Sequence, residues 1–126
     1  MLDISGDEAN RVVCVEPRGP LQEADFEELA AVVDPIIASH GALGGLMIHT
    51  QSFPGWEDFA GFLSHMRFVK EHQSKIGRVA LVTDSALASV GPKLAKIFVS
   101  AEVEHFAYAD MKRARAWIAA QEPASD

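Results

Sequence analysis

The sequence lacks the features of a disulfide-stapled, membrane-spanning or exported protein. Its single cysteine, Cys14, cannot form an internal disulfide. Because Cys14 lies in an apolar strand pattern, we expect a small buried hydrophobe rather than a reactive thiol. No segment approaches the roughly 20 consecutive apolar residues of a membrane span. Met1 is followed within two residues by acidic Asp3, unlike the basic start of a signal peptide, so we predict a cytoplasmic chain.

Positive charge is also scarce. The chain has 11 basic and 18 acidic side chains, which gives a formal net charge of −7. Such a field repels a phosphate backbone, and no basic stripe interleaved with aromatic residues compensates for it. We therefore expect no nucleic-acid partner. Anionic membrane surfaces are disfavoured for the same reason, whereas a neutral apolar contact is still allowed.

Motifs for catalysis and for metal or phosphate binding are missing as well. The five histidines have no cysteine partners and no His-Glu-x-x-His spacing, and His65 and His72 lie two helical turns apart. We predict no metal site and no other cofactor. Ser52, His49 and Asp84 would need a Gly-x-Ser-x-Gly turn to form a hydrolase triad, and none is present. Since no glycine-rich loop leads from a strand into a helix either, we predict no enzymatic activity.

What is present is the pattern of one α/β domain over residues 1–126. Short apolar runs alternate with segments of helical period. Right-handed crossovers then predict a mainly parallel sheet of about five strands, with an N-terminal antiparallel hairpin and about four helices. The predicted strands are Leu2 to Ile4, Arg11 to Glu16, Leu43 to Ile48, Arg78 to Asp84 and Glu102 to Ala107. The predicted helices are Leu21 to Ser39, one starting near Trp56, one beginning at Pro92 and one capped by Asp110.

The stretch from Leu43 to Phe68 is the predicted working part of the chain. Its continuous apolar run, Leu46 to Ile48, indicates a central strand that is covered on both faces. Polar residues follow from His49 to Ser52, and a long helical segment comes after them. In open α/β sheets, ligands and partners bind where a strand's carboxyl end meets the next helix, so we expect any site here.

The second helix contains more apolar residues than one core face needs. Helical spacing predicts a core stripe, and Phe68 falls almost opposite that stripe. Trp56 lies at the border of the stripe, with Phe53 just before it in the loop. An aromatic residue on the far side indicates a lid, a partner surface or a shallow membrane contact. The alternative is that Phe68 packs under a loop or against a second copy of the chain. The predicted stripe comprises Phe59, Phe62, Leu63, Met66 and Val69.

Polar side chains at the strand ends could complete a ligand site. His49 to Ser52 follow the central strand, and Asp84 and Ser85 end its neighbour. The alternative is that each of these residues only satisfies backbone groups of the loops. The residues predicted to bind a ligand are His49, Gln51, Ser52, Phe53, Trp56, Phe59, Phe62, Met66, Phe68 and Asp84.

Four short motifs, in this order, resemble the SpoIIAA-like family, which is related to STAS domains: Gly19-Pro20-Leu21, Gly55-Trp56, Ala101-Glu102-Val103 and Ala116-Trp117-Ile118. The resemblance implies a STAS-type sheet of four to five strands, a fold also compared with lipid-binding CRAL-TRIO domains, and no enzymatic activity established for the family. Anti-sigma factor antagonists carry an Asp-Ser-Ser/Thr-Gly type motif with a phosphorylatable serine after the central strand. Here Gln51 to Gly55 stand in its place, so the phosphorylation of Ser52 is not carried over.

Two functions are consistent with these features. The first is a non-catalytic domain that binds an apolar or amphipathic, lipid-like small ligand, or makes a peripheral membrane contact, through residues 53–68. The second is a regulatory module that binds a protein partner in the manner of an anti-sigma factor antagonist, without the usual phosphorylatable serine motif. A homodimer is compatible with both functions.

Overall fold

The computed structural model describes residues 2–7, 9–52, 54–84 and 102–120. Its five strands are β1 (Leu2–Asp7), β2 (Val12–Pro17), β3 (Leu43–His49), β4 (Ile76–Val82) and β5 (Glu102–Phe106). Its three α-helices are α1 (Glu23–His40), α2 (Phe59–His72) and α3 (Met111–Ala119), and a short 3-10 turn, Gln73–Lys75, follows α2. The helix predicted to begin at Pro92 lies outside the described residues.

The strands form one mixed sheet in the order β1-β2-β3-β4-β5. Strands β1 and β2 pair antiparallel, and the other three pairings are parallel. The α/β sheet predicted from the sequence, mainly parallel with an N-terminal hairpin, is therefore confirmed. Because each parallel pair places both carboxyl ends at the same edge, the segments that follow β3, β4 and β5 meet along one side of the sheet.

Alternating side chains divide the core into two layers. Val13, Leu46 and Val79, at matched register positions of three strands, pack on one face of the sheet with apolar residues of α1 and α2. On the opposite face, Cys14 and Met47 pack with α3 residues. Cys14 is buried, as predicted. Helices thus cover both faces, which explains why β3 and β4 read as continuous apolar runs.

Helix α1 begins and ends at residues with identifiable roles. The backbone N–H of Gln22 donates to the carboxylate of the buried Asp25, at 2.8 Å, which satisfies a donor at the helix start. Gly41 ends the helix in the left-handed conformation, with φ 86° and its N–H bonded to the Ile37 carbonyl. The helix predicted over Leu21 to Ser39 thus ends one residue later, at His40.

Candidate functional site

The chain just before α2 is fixed against the chain just before α1. Leu21 donates its N–H to the Gly55 carbonyl at 2.8 Å and accepts from the Glu57 N–H at 2.9 Å, so Leu21 and Trp56 form a parallel bridge. Asp58 then caps α2, because its carboxylate accepts from the Gly61 N–H at 2.9 Å. The helix therefore starts at Phe59, three residues after the predicted position near Trp56.

Because Gly61 has no side chain, α2 approaches Leu21 more closely than it could with any other amino acid at position 61. A Cβ atom at position 61 would lie 2.6 Å from the Leu21 carbonyl oxygen. The face of α2 that contains Gly61 must therefore turn inward. Phe68 and Val69 lie on the same inward side, and both are buried.

The predicted orientation of α2 is wrong. Phe68, predicted to lie opposite the core, has only 6% of its surface exposed and is part of the core. Phe59 and Leu63, predicted to belong to the core stripe, are 70% and 44% exposed. Val69 is buried as predicted. The apolar spacing correctly grouped Phe59 with Leu63 but also placed Val69 with them, and the contact between Gly61 and Leu21 determines which face meets the sheet.

The outward side of α2 presents an aromatic and aliphatic surface. Trp56, at 37% exposure, contacts the edge of Phe62 with ring centroids 4.9 Å apart, and Phe62 stacks on Phe59 at 6.0 Å. Phe62 and Met66 are half-buried. We call Trp56, Phe59, Phe62, Leu63 and Met66 the α2 apolar surface. Four of its five residues were predicted as ligand-binding residues, and their binding role is still a prediction. Phe53 lies outside the described residues.

His65 positions Trp56, a role that the sequence did not reveal. The indole Nε1 of Trp56 donates to His65 Nδ1 at 3.0 Å, and the imidazole stacks on Phe26 of α1 with centroids 4.9 Å apart. Burial lowers the pKa of His65 to about 4, so the ring is neutral near neutral pH. Its Nδ1 accepts, and the ring proton therefore lies on Nε2.

The polar residues at the strand ends bond mainly to backbone groups. Thr50 is buried and donates to the Ser52 carbonyl, and the Gln51 carbonyl accepts from the Asp84 N–H and the Thr83 hydroxyl. The side chains of Gln51 and Ser52 face solvent. The hydroxyl groups of Thr50 and Thr83 therefore satisfy loop backbone carbonyls, and the second of these bonds joins the segment after β4 to the loop after β3. Whether Gln51 and Ser52 bind a ligand is still a prediction.

His49 is bound on both ring nitrogens. Nδ1 lies 3.2 Å from a Glu16 carboxylate oxygen, Nε2 lies 3.1 Å from the Tyr108 carbonyl, and the ring stacks on Tyr108 at 4.2 Å. Asp84 accepts from the Tyr108 N–H instead of from His49. In the described ranges His49, Ser52 and Asp84 are therefore not joined as a catalytic triad, and no three His, Cys, Asp or Glu residues are placed to hold a metal ion.

A groove of about 190 Å³ runs along the other flank of α2, between α1 and α2. Phe26, Ala30 and Phe68 form its apolar floor. His72 closes one end, because its Nε2 contacts Asp34 of α1 at 2.7 Å while its Nδ1 contacts the Phe68 carbonyl at 2.8 Å. Sequence reasoning missed this groove, since it is created by the pairing of the two helices.

A comparison with protein-family models gives a match that covers most of the chain. None of the helices described here is both long and apolar enough to span a membrane. No curated protein and no solved structure gave a significant match. The family model described as SpoIIAA-like matches residues 12–119, from the start of β2 to the end of α3, and so includes the three α-helices and four of the five strands found among the described residues. The chain therefore belongs to the SpoIIAA-like family.

Proposed function

We propose that this chain is a non-catalytic regulatory module that binds a protein partner through the α2 apolar surface. The observation that carries the proposal is the exposure of Trp56, Phe59 and Leu63 at the start of α2, directly after the loop that follows the central strand. Membership in a STAS-related family favours a regulatory role over catalysis.

The chemistry of the surface suits a protein partner. Aromatic side chains supply a large contact area at a small cost in side-chain entropy, and they are enriched among the residues that dominate binding energy. The hydrogen bond from Trp56 to His65 holds the indole in place before any partner arrives. A fixed aromatic anchor loses less conformational freedom on binding than a mobile one.

A small lipid-like ligand is less well supported. The groove between α1 and α2, at about 190 Å³, is smaller than the roughly 300–1,000 Å³ of typical small-molecule pockets. A peripheral membrane contact is opposed by Glu57 and Asp58, two exposed acidic residues immediately before Phe59. Their charge adds to the net charge of −7 in repelling anionic lipid.

The proposal can be tested by site-specific photo-crosslinking in the native cell. A photoreactive phenylalanine analogue at position 59 should form a defined adduct with a protein, because Phe59 points into solvent. The matched control places the same analogue at Glu28, an exposed position of α1 outside the α2 apolar surface. We expect no comparable adduct from position 28.

Three other outcomes would contradict a protein partner. The first is a lipid adduct at position 59, which vesicle sedimentation with neutral phosphatidylcholine would detect independently. The second is an equal yield of adducts from positions 59 and 28. The third is an adduct that contains only a second copy of this chain, which sedimentation velocity would recognise as a homodimer.

A further inference from the structure

The groove between α1 and α2 combines an apolar floor with acidic walls. The floor residues Phe26 and Phe68 are core side chains whose rings lie 6.3 Å apart. Phe26 of α1 contacts His65 of α2, and Asp34, later in α1, contacts His72, later in α2. The two helices that form the groove are therefore parallel. The contact between His72 and Asp34 joins the two helices and fixes the width of the groove at one end.

The carboxylates of the walls are available for an incoming cation. Glu23 and Glu27 of α1 and Glu71 of α2 line the groove and are exposed. Within the described part of the chain, these three carboxylates have no hydrogen-bond or ion-pair partner. Helix α1 contains no lysine or arginine along its whole length. Arg67 is the one arginine in the lining, so the walls have a net negative charge.

The dimensions fit one long side chain. A volume of about 190 Å³ is comparable to the ~150 Å³ cavity that accommodates a benzene-sized group. Arginine has an aliphatic stem that packs along apolar surface and a guanidinium that pairs bidentately with carboxylates. Phe26 and Phe68 would contact the stem, and the wall carboxylates would receive the head.

From this complementarity we infer that the groove is a second docking surface, for a basic amphipathic segment of a protein partner that inserts an arginine between α1 and α2. The inference goes beyond the proposed function and uses different residues, on the opposite flank of α2 from Phe59 and Leu63. It shares with that proposal only the idea that the partner is a protein. The two ideas can therefore fail separately.

The test uses the full chain and a synthetic helical peptide rich in leucine and alanine, with arginines along one face. A matched peptide carries glutamine in place of each arginine. In a ¹⁵N NMR titration, the arginine peptide should shift the amides of Ala30 and Ser64, which line the groove. The glutamine peptide should not shift them. Phe59→Glu should leave this binding unchanged, whereas it would abolish a contact made by the α2 apolar surface.

Paired variants separate a local site from the general negative field. The double variant Glu27→Gln, Glu71→Gln should weaken binding about tenfold, because two charge-assisted hydrogen bonds are lost. The control Glu28→Gln, Glu104→Gln removes the same charge from exposed positions outside the groove and should have little effect. Equal weakening by both pairs would overturn the inference. So would shifts confined to Trp56 and Phe59, or equal affinity for free arginine amide and for the peptide.

The apolar floor has its own test. Ala30→Leu places extra carbon atoms in the groove and leaves all wall carboxylates in place, so peptide binding should be lost. If circular dichroism shows that Ala30→Leu unfolds the chain, Ser64→Leu narrows the groove from the α2 side. Undiminished binding by a folded variant of either kind would contradict insertion between the helices.

Discussion

The indole of Trp56 donates its hydrogen bond to Nδ1 of His65, nine residues further along the chain, and the same imidazole stacks on Phe26 of α1. One neutral histidine therefore couples an exposed aromatic residue to the core between α1 and α2. This hydrogen bond should break in acid, because a proton on Nδ1 of His65 removes the acceptor.

The pKa of His65 predicts a loss of stability in acid. Burial lowers this pKa from 6.5 to about 4, so between those values the unfolded chain binds a proton that the folded chain does not. The stabilising contribution is complete above pH 6.5 and is lost as the pH falls toward 4. With about 1.4 kcal/mol per pKa unit, the contribution is on the order of 3 kcal/mol.

Urea unfolding of the wild type and His65→Phe at pH 7 and pH 4.5 measures this contribution. Phenylalanine keeps a ring against Phe26 but cannot titrate. The wild type should lose more stability on acidification than the variant does. Because both proteins contain the other histidines, the effect of those histidines drops out of the comparison. An identical pH dependence of the two proteins would show that His65 is not held neutral.

The orientation of α2 predicts opposite results for two phenylalanines. Phe68→Ala should reduce the free energy of unfolding by about 3–5 kcal/mol, because it leaves a cavity in the core. Phe59→Ala should change it by less than about 0.5 kcal/mol, because most of this side chain is already in water. Chemical denaturation of both variants measures the difference. If Phe59→Ala were the more destabilising of the two, Phe59 would be a core residue, as the sequence predicted.

Sequence patterns were sufficient for the sheet but not for the rotation of α2. Short apolar runs that end in polar turn residues, such as Leu46 to Ile48, favour buried strands, and crossover handedness then leaves few topologies. Helix α2 is different, because apolar residues occur on both of its sides. The inward side also contains His65 and His72, which look polar in the sequence yet stack on Phe26 and Phe68.

The place in the fold of the segments that contain the candidate site was predictable, but their contacts were not. The loop after β3 and the start of α2 were expected to lie at the carboxyl edge of the sheet, and they do. The partners of His49, however, come from β2 and from the turn after β5. Residues so far apart in the sequence form no short motif, so the sequence gives no sign that they are paired.

Cys14 should react slowly in the folded protein. Burial on the α3 side of the sheet, with a smaller effect of the nearby Glu16 carboxylate, raises the pKa of its thiol. We expect a disulfide exchange reagent at pH 8 to label the native chain far more slowly than the urea-unfolded chain. Rapid stoichiometric labelling without denaturant would contradict the burial of this residue.

A methyl group on Gly61, near the start of α2, should destabilise the fold. In most helices, replacing glycine by alanine is favourable by about 1 kcal/mol. Here the new Cβ would lie 2.6 Å from the Leu21 carbonyl, a backbone atom that cannot rotate away. Gly61→Ala should therefore be destabilising overall, by about 1–3 kcal/mol, and should weaken the bridge between Leu21 and Trp56.

The matched control is Gly19→Ala, because a Cβ at position 19 meets nothing within 4 Å. Thermal unfolding should distinguish the two variants, and hydrogen exchange of the Leu21 and Glu57 amides should speed up in Gly61→Ala alone. These amides form the two backbone bonds of the bridge. If Gly61→Ala were instead more stable, with slow exchange retained, the close approach to Leu21 would not determine how α2 is turned. The outward position of Phe59 and Leu63 would then need another cause.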